Sequence, residues 1–69
     1  MTVIEAIRKI CEERERDRIV PVCAPLVEIR NRTKLSAEEI KCQIDALIFG
    51  KEIEQRLAMS GFTYYLTAN

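Results

Sequence analysis

The chain has 69 residues, and its 11 basic and 11 acidic side chains give a formal net charge of zero at pH 7. This length allows a single domain, residues 1–69. The 48% hydrophobic content excludes extended disorder. No apolar run approaches the ~18 residues that a membrane span needs. The first residues lack the apolar core and cleavage site of a signal peptide, so we expect a cytoplasmic protein.

Three widely spaced cysteines, Cys11, Cys23 and Cys42, are present, and the chain has no histidine. A disulfide framework or a zinc site needs closer or more numerous ligands. We therefore expect reduced thiols, with Cys11 acting as a small buried apolar residue. The sequence predicts no metal and no other cofactor.

The first predicted helix covers residues 2–17. Thr2 followed by Glu5 matches a capping box, in which each residue binds a backbone N–H near the helix start. One buried face is indicated by the helical spacing of Val3, Ile7, Ile10, Cys11 and Arg14. The charged end, residues 12–18, has two interpretations: a solvated helix end, or an extension that forms a homodimer.

A short strand and a second helix are predicted next. Residues 19–22 are rich in β-branched side chains, but Pro21 restricts them to an edge strand. Pro25 suits the first turn of a helix, where a missing N–H costs nothing. We therefore predict a helix over 25–32, with Leu26 and Ile29 on its buried side.

The third helix is predicted over residues 36–49. Ser36 and Glu39 match a second capping box. Ile40, Ile44, Leu47 and Ile48 follow the spacing of a buried face. Gly50 stands where helices commonly end in a left-handed residue.

The period changes from helical to alternating after Gly50, which predicts a β-hairpin over residues 52–67. A turn is expected at 59–61. Pairing across it places the odd-numbered residues of the first strand opposite the even-numbered residues of the second. Ile53 and Leu57 then share a face with Phe62, Tyr64 and Leu66.

This order of elements resembles the winged-helix superfamily of DNA-binding domains, over nearly the whole chain. The bacterial regulator form has an L-x-x-L-x-x-x-T-x-L-S run before its recognition helix. Leu26, Ile29, Thr33, Leu35 and Ser36 occupy those places. Residues 61–67 are similar to the returning strand of a wing. The resemblance implies an α+β fold: a winged helix-turn-helix with three helices, a C-terminal two-stranded wing and a short edge strand.

The resemblance also implies a function, binding of duplex DNA by a transcriptional regulator or accessory factor. In such domains the third helix enters the major groove. Two positions depart from the family pattern. Arg30 stands where a small residue is usual, and Lys34 stands where glycine is frequent, so we expect a strained or altered turn at Lys34.

The candidate DNA-binding residues lie on the turn before the third helix, on that helix and on the wing. They are Arg30, Asn31, Arg32, Lys34, Ala37, Glu38, Lys41, Lys51 and Arg56. The basic members would contact phosphates, and Glu38 would accept a hydrogen bond from cytosine. The alternative for the basic residues is that they are solvated charges balanced by neighbouring carboxylates.

Two other function classes are a protein-interaction domain and an enzyme. A winged helix that binds a protein partner instead of DNA would account for the neutral charge, and Met59 and Phe62 near the wing tip are candidate contacts. An enzyme is disfavoured, because the chain lacks a histidine base, a glycine-rich phosphate loop and a nucleophile with an activating partner. No small-molecule substrate or membrane partner is indicated.

Overall fold

The computed structural model describes residues 1–59 and 61–67. It has three helices, α1 (Val3–Arg16), α2 (Leu26–Thr33) and α3 (Ala37–Phe49), and three strands, β1 (Ala24–Pro25), β2 (Ile53–Ala58) and β3 (Gly61–Leu66). The strands form one antiparallel sheet in the order β1-β3-β2. The α+β class is therefore confirmed. All three strands belong to one sheet, whereas the sequence predicted a two-stranded hairpin and a separate short edge strand.

The core lies between the helices and one face of the sheet. Helix α1 contributes most to it, because Val3, Ala6, Ile7, Ile10 and Cys11 are all buried. Both halves of the predicted capping box are present at its start: Thr2 accepts from the Glu5 N–H, and the Glu5 carboxylate accepts from the Thr2 N–H. This helix matches the sequence prediction.

The predicted strand over 19–22 is wrong. The Ile19 N–H instead donates to the Arg14 carbonyl at 2.8 Å, which continues the turn that ends α1. The strand lies later, at β1, where Ala24 pairs with Tyr64 and Pro25 with Thr63. Proline is tolerated there because β1 is the edge of the sheet and its N–H would have no ladder partner.

The α2–α3 turn follows the predicted residues closely. Lys34 ends α2 in the left-handed region, with φ 55°, and its N–H donates to the Arg30 carbonyl. The Ser36 hydroxyl then accepts from the Glu39 N–H and begins α3, but the Glu39 carboxylate does not bond back to the Ser36 N–H, so only half of the predicted capping box forms. The expected strain at Lys34 is therefore present as a left-handed lysine.

The end of α3 differs from the prediction. Gly50 has φ −78°, an ordinary helical value, and the left-handed residue is Lys51, with φ 58°. The Gly50 N–H bonds to the Ala46 carbonyl and the Lys51 N–H to the Ile48 carbonyl, so the chain completes its last turn before it reverses direction. The left-handed residue therefore comes one position later than predicted.

The hairpin has the predicted register, with Ile53 opposite Leu66, Gln55 opposite Tyr64 and Leu57 opposite Phe62. Ser60, in the predicted turn, lies outside the described residues. Gly61 has φ 121°, a conformation that L side chains rarely adopt, which explains a glycine here. Ile53 and Tyr64 are buried beneath the helices, whereas Leu57 is 76% exposed because the hairpin extends past them.

Within 1–59 and 61–67, none of the helices has both the length and the apolar character needed to cross a bilayer.

Candidate nucleic-acid interface

The turn between α2 and α3 gathers most of the predicted contact residues. Arg30 and Asn31 are exposed on the second half of α2, and Lys34 is exposed at its end. Ala37 and Lys41 follow one turn apart on the exposed side of α3. Arg30, Ala37 and Lys41 line one concave surface beside the first half of α3, whereas Asn31 and Lys34 precede that helix in the chain.

Arg32 is directed away from this group. Its guanidinium donates two hydrogen bonds to the Glu13 carboxylate on α1, at 2.8 and 2.5 Å. The hydrogen bond from Arg32 lowers the pKa of Glu13, and the same contact raises the pKa of Arg32. Arg32 therefore links α2 to the charged end of α1. A DNA phosphate could bind Arg32 only by displacing Glu13, which holds it with two hydrogen bonds.

Lys51 and Arg56 also lie away from the turn. Lys51 follows α3, and twelve helical steps separate the two ends of that helix, about 18 Å. Arg56 is in β2, on the opposite sheet face from Gln55. It contacts Glu54 at 3.3 Å and lies 5.0 Å from the centre of the Tyr65 ring. The nine candidate residues thus do not form one continuous surface.

Helix α3 presents carboxylates beside its one exposed cation. Glu38 and Glu39 are exposed in its first turn, where negative charge complements the helix dipole. Asp45 is exposed one turn beyond Lys41. The surface that would approach DNA is therefore close to neutral, and strong non-specific attraction to phosphates is not expected.

A cavity of about 420 Å³ lies between α2, α3 and the hairpin, directly beside the exposed side of α3. Arg30, Lys41 and Asp45 stand among its lining residues. The apolar and aromatic part of the lining is formed by Leu26, Ile40, Ile44, Phe62 and Tyr64. The candidate interface is therefore a concave apolar surface with a few charged groups beside it.

Sequence reasoning did not identify this cavity. Tyr64 is 3% exposed, and its hydroxyl donates to the Gln55 side chain at 3.1 Å. Burial raises the pKa of the Tyr64 hydroxyl. Gln55 drew no attention because a glutamine among apolar residues of a strand looks like a surface position. The predicted register pairs Gln55 with Tyr64, and this pairing is the sequence feature that indicates a position for Gln55 beside the cavity.

The described residues include no group of three His, Cys, Asp or Glu side chains that could hold a metal ion. Cys11 and Cys23 are buried and Cys42 is exposed, all as free thiols. Burial raises the pKa of the Cys11 thiol.

Comparisons with protein-family models, with curated proteins and with solved structures find no match to this chain.

Proposed function

We propose that this chain is a winged-helix domain that binds duplex DNA through α3, in the manner of a cytoplasmic transcriptional regulator or accessory factor. The observation that carries the proposal is the order of elements, helix–strand–helix–helix–strand–strand, in which the exposed half of α3 lies beside both the α2–α3 turn and the hairpin. In a winged helix the corresponding helix enters the major groove.

The contacts available for DNA are few. Arg30, Lys34 and Lys41 are exposed near the first half of α3, and phosphate contacts from them would position the helix. Asn31 and Glu38 are exposed with them and have the hydrogen-bonding groups that base edges require. Three cations predict modest affinity that depends steeply on salt.

The test is a fluorescence-anisotropy titration of a generic duplex at several salt concentrations, comparing the natural chain with Lys41→Ala. Loss of one phosphate contact is expected to weaken binding and to reduce the slope of log affinity against log salt by about one. The matched control is Lys9→Ala, which removes an exposed lysine of α1. An identical slope for the two variants, or no binding by the natural chain at low salt, contradicts the proposal.

A second function, binding of a protein partner, is favoured by the apolar cavity beside α3. Its lining includes Phe62, which is 43% exposed, and Leu57 opposite Phe62 on the hairpin is also exposed. Phe62→Ser is expected to abolish partner capture and to leave duplex binding unchanged. Leu66→Ser is the matched control, because Leu66 is similarly exposed at 39% but does not line this cavity.

A further inference from the structure

The outer edge of β2 carries backbone N–H and C=O groups that have no partner among the described residues. The Thr67 N–H donates to the Glu52 carbonyl and the Thr63 hydroxyl to the Arg56 carbonyl, so alternate residues from 52 onward are directed toward β3. The residues between them, Ile53, Gln55 and Leu57, therefore direct their N–H and C=O groups away from β3. β2 is the last strand on that side of the described sheet.

The side chains of β2 are complementary to a second β2 that runs antiparallel to it. When Gln55 lies opposite Gln55 of a second copy, Glu54 lies opposite Arg56 of that copy, and Arg56 opposite its Glu54. Ile53 then lies opposite Leu57 on the other sheet face. This register places the three outward-directed residues opposite one another and matches opposite charges twice.

Two further observations suit this register. Leu57, near the end of β2, is an apolar side chain that is 76% exposed. A concavity of about 460 Å³, lined by Ile48, Ile53 and Gln55 among others, lies at the beginning of β2. In the stated register, Leu57 of the second copy lies opposite Ile53 and so reaches this concavity.

We propose that the chain forms a symmetric dimer by antiparallel pairing of β2 with β2 of a second copy, centred on Gln55. The two three-stranded sheets become one six-stranded sheet, and Glu54 and Arg56, already 3.3 Å apart within one chain, form a network of four charges across the contact. Ile53 is only 2% exposed and can add little new contact area, so the contact is centred on the two Gln55 residues. A contact made by one pair of six-residue strands is small, so we expect a weak, reversible dimer.

This dimer is independent of DNA binding and differs from a dimer formed through the end of α1. The charged end of α1 is partly used inside the monomer, where Glu13 binds Arg32. If both proposals hold, a two-fold dimer would read a palindromic site. If duplex binding fails, the β2 contact remains to be measured in the free protein.

The test is sedimentation equilibrium over a micromolar to millimolar series, with charge reversal at the two matched positions. The natural chain is expected to self-associate. Glu54→Arg and Arg56→Glu are each expected to weaken dimerisation about tenfold, because each places like charges opposite one another twice. The double variant E54R/R56E restores opposite charges and is expected to recover dimerisation. Glu12→Arg, an exposed reversal on α1, is the control.

A backbone variant tests the edge itself. Gln55→Pro removes the N–H directed toward the second copy and leaves the neighbouring bonds to β3, so a folded but monomeric protein is expected. Circular dichroism checks its folding, and the charge variants decide the question if it unfolds. A natural chain that stays monomeric at millimolar concentration overturns the proposal. A dimer that persists in both single charge variants also overturns it.

Discussion

Among residues 1–59 and 61–67, three residues with a Cβ have left-handed backbone conformations: Arg18, Lys34 and Lys51, with φ between 55° and 58°. Left-handed geometry brings Cβ close to the following carbonyl oxygen and costs roughly 1–2 kcal/mol. Glycine would avoid this cost. Lys34 ends α2 and Lys51 follows α3, so at both helix ends a charged side chain stands in a conformation that favours glycine.

Lys34→Gly is expected to raise the free energy of unfolding by about 1 kcal/mol, because the left-handed strain is relieved. Lys41→Gly places the same change in the interior of α3 and is expected to lower it by about 1 kcal/mol. Urea denaturation followed by circular dichroism measures both. A loss of stability in Lys34→Gly would show that the lysine side chain contributes more than its backbone costs.

At the scale of the element, α2 depends on a single fully buried side chain. Ile29 is 0% exposed and packs in the core with Ile7, Ile10 and Ile40, whereas Val27 is 62% exposed two residues earlier. Packing of this one side chain among apolar neighbours explains how a helix of only eight residues is held against the core. Short helices are marginal alone and are stabilised by such packing.

Ile29→Val is expected to cost about 1 kcal/mol, and Ile29→Ala about 3 kcal/mol, through lost burial and the cavity that remains. The natural chain has a total stability on the order of 3–10 kcal/mol for this length, so the alanine variant should lose about a third or more of it. Val27→Ala, on the exposed side of the same helix, should change stability by less than about 0.5 kcal/mol. Thermal unfolding distinguishes these outcomes, and equal losses at 27 and 29 would contradict the described packing.

At the scale of the whole molecule, the accessibility of the three thiols measures unfolding of the domain. Cys11 and Cys23 are 4% and 3% exposed, whereas Cys42 is exposed on α3. A thiol reacts as its thiolate, and burial raises the pKa of Cys11, so both access and ionisation protect it.

A thiol-alkylating reagent is therefore expected to modify Cys42 promptly and the other two only when the domain unfolds. Intact mass spectrometry should show one addition in buffer and three in denaturant. In mild denaturant Cys11 and Cys23 should react together, at a rate set by global opening. Cys42→Ser is the control that should remove the prompt addition, and prompt modification of Cys11 would contradict the buried placement.

The sequence by itself determined the helices and the hairpin register. Capping residues and periodic apolar positions are local signals, so Thr2, Ser36 and the alternation after Gly50 predicted α1, α3 and the β2–β3 pairing. These signals act within a few residues of one another along the chain, which is why one sequence is enough to recognise them.

Only the tertiary structure decided the placement of β1, the direction of Arg32 and the cavity beside α3. β1 lies at Ala24–Pro25 because its partner is Tyr64, forty residues away. Arg32 bonds to Glu13, nineteen residues away in the chain, and Gln55 lines the same cavity as residues of α3 only after the hairpin folds back. Such contacts join residues distant in the chain, and their choice depends on packing of the whole molecule, which composition and local spacing do not encode.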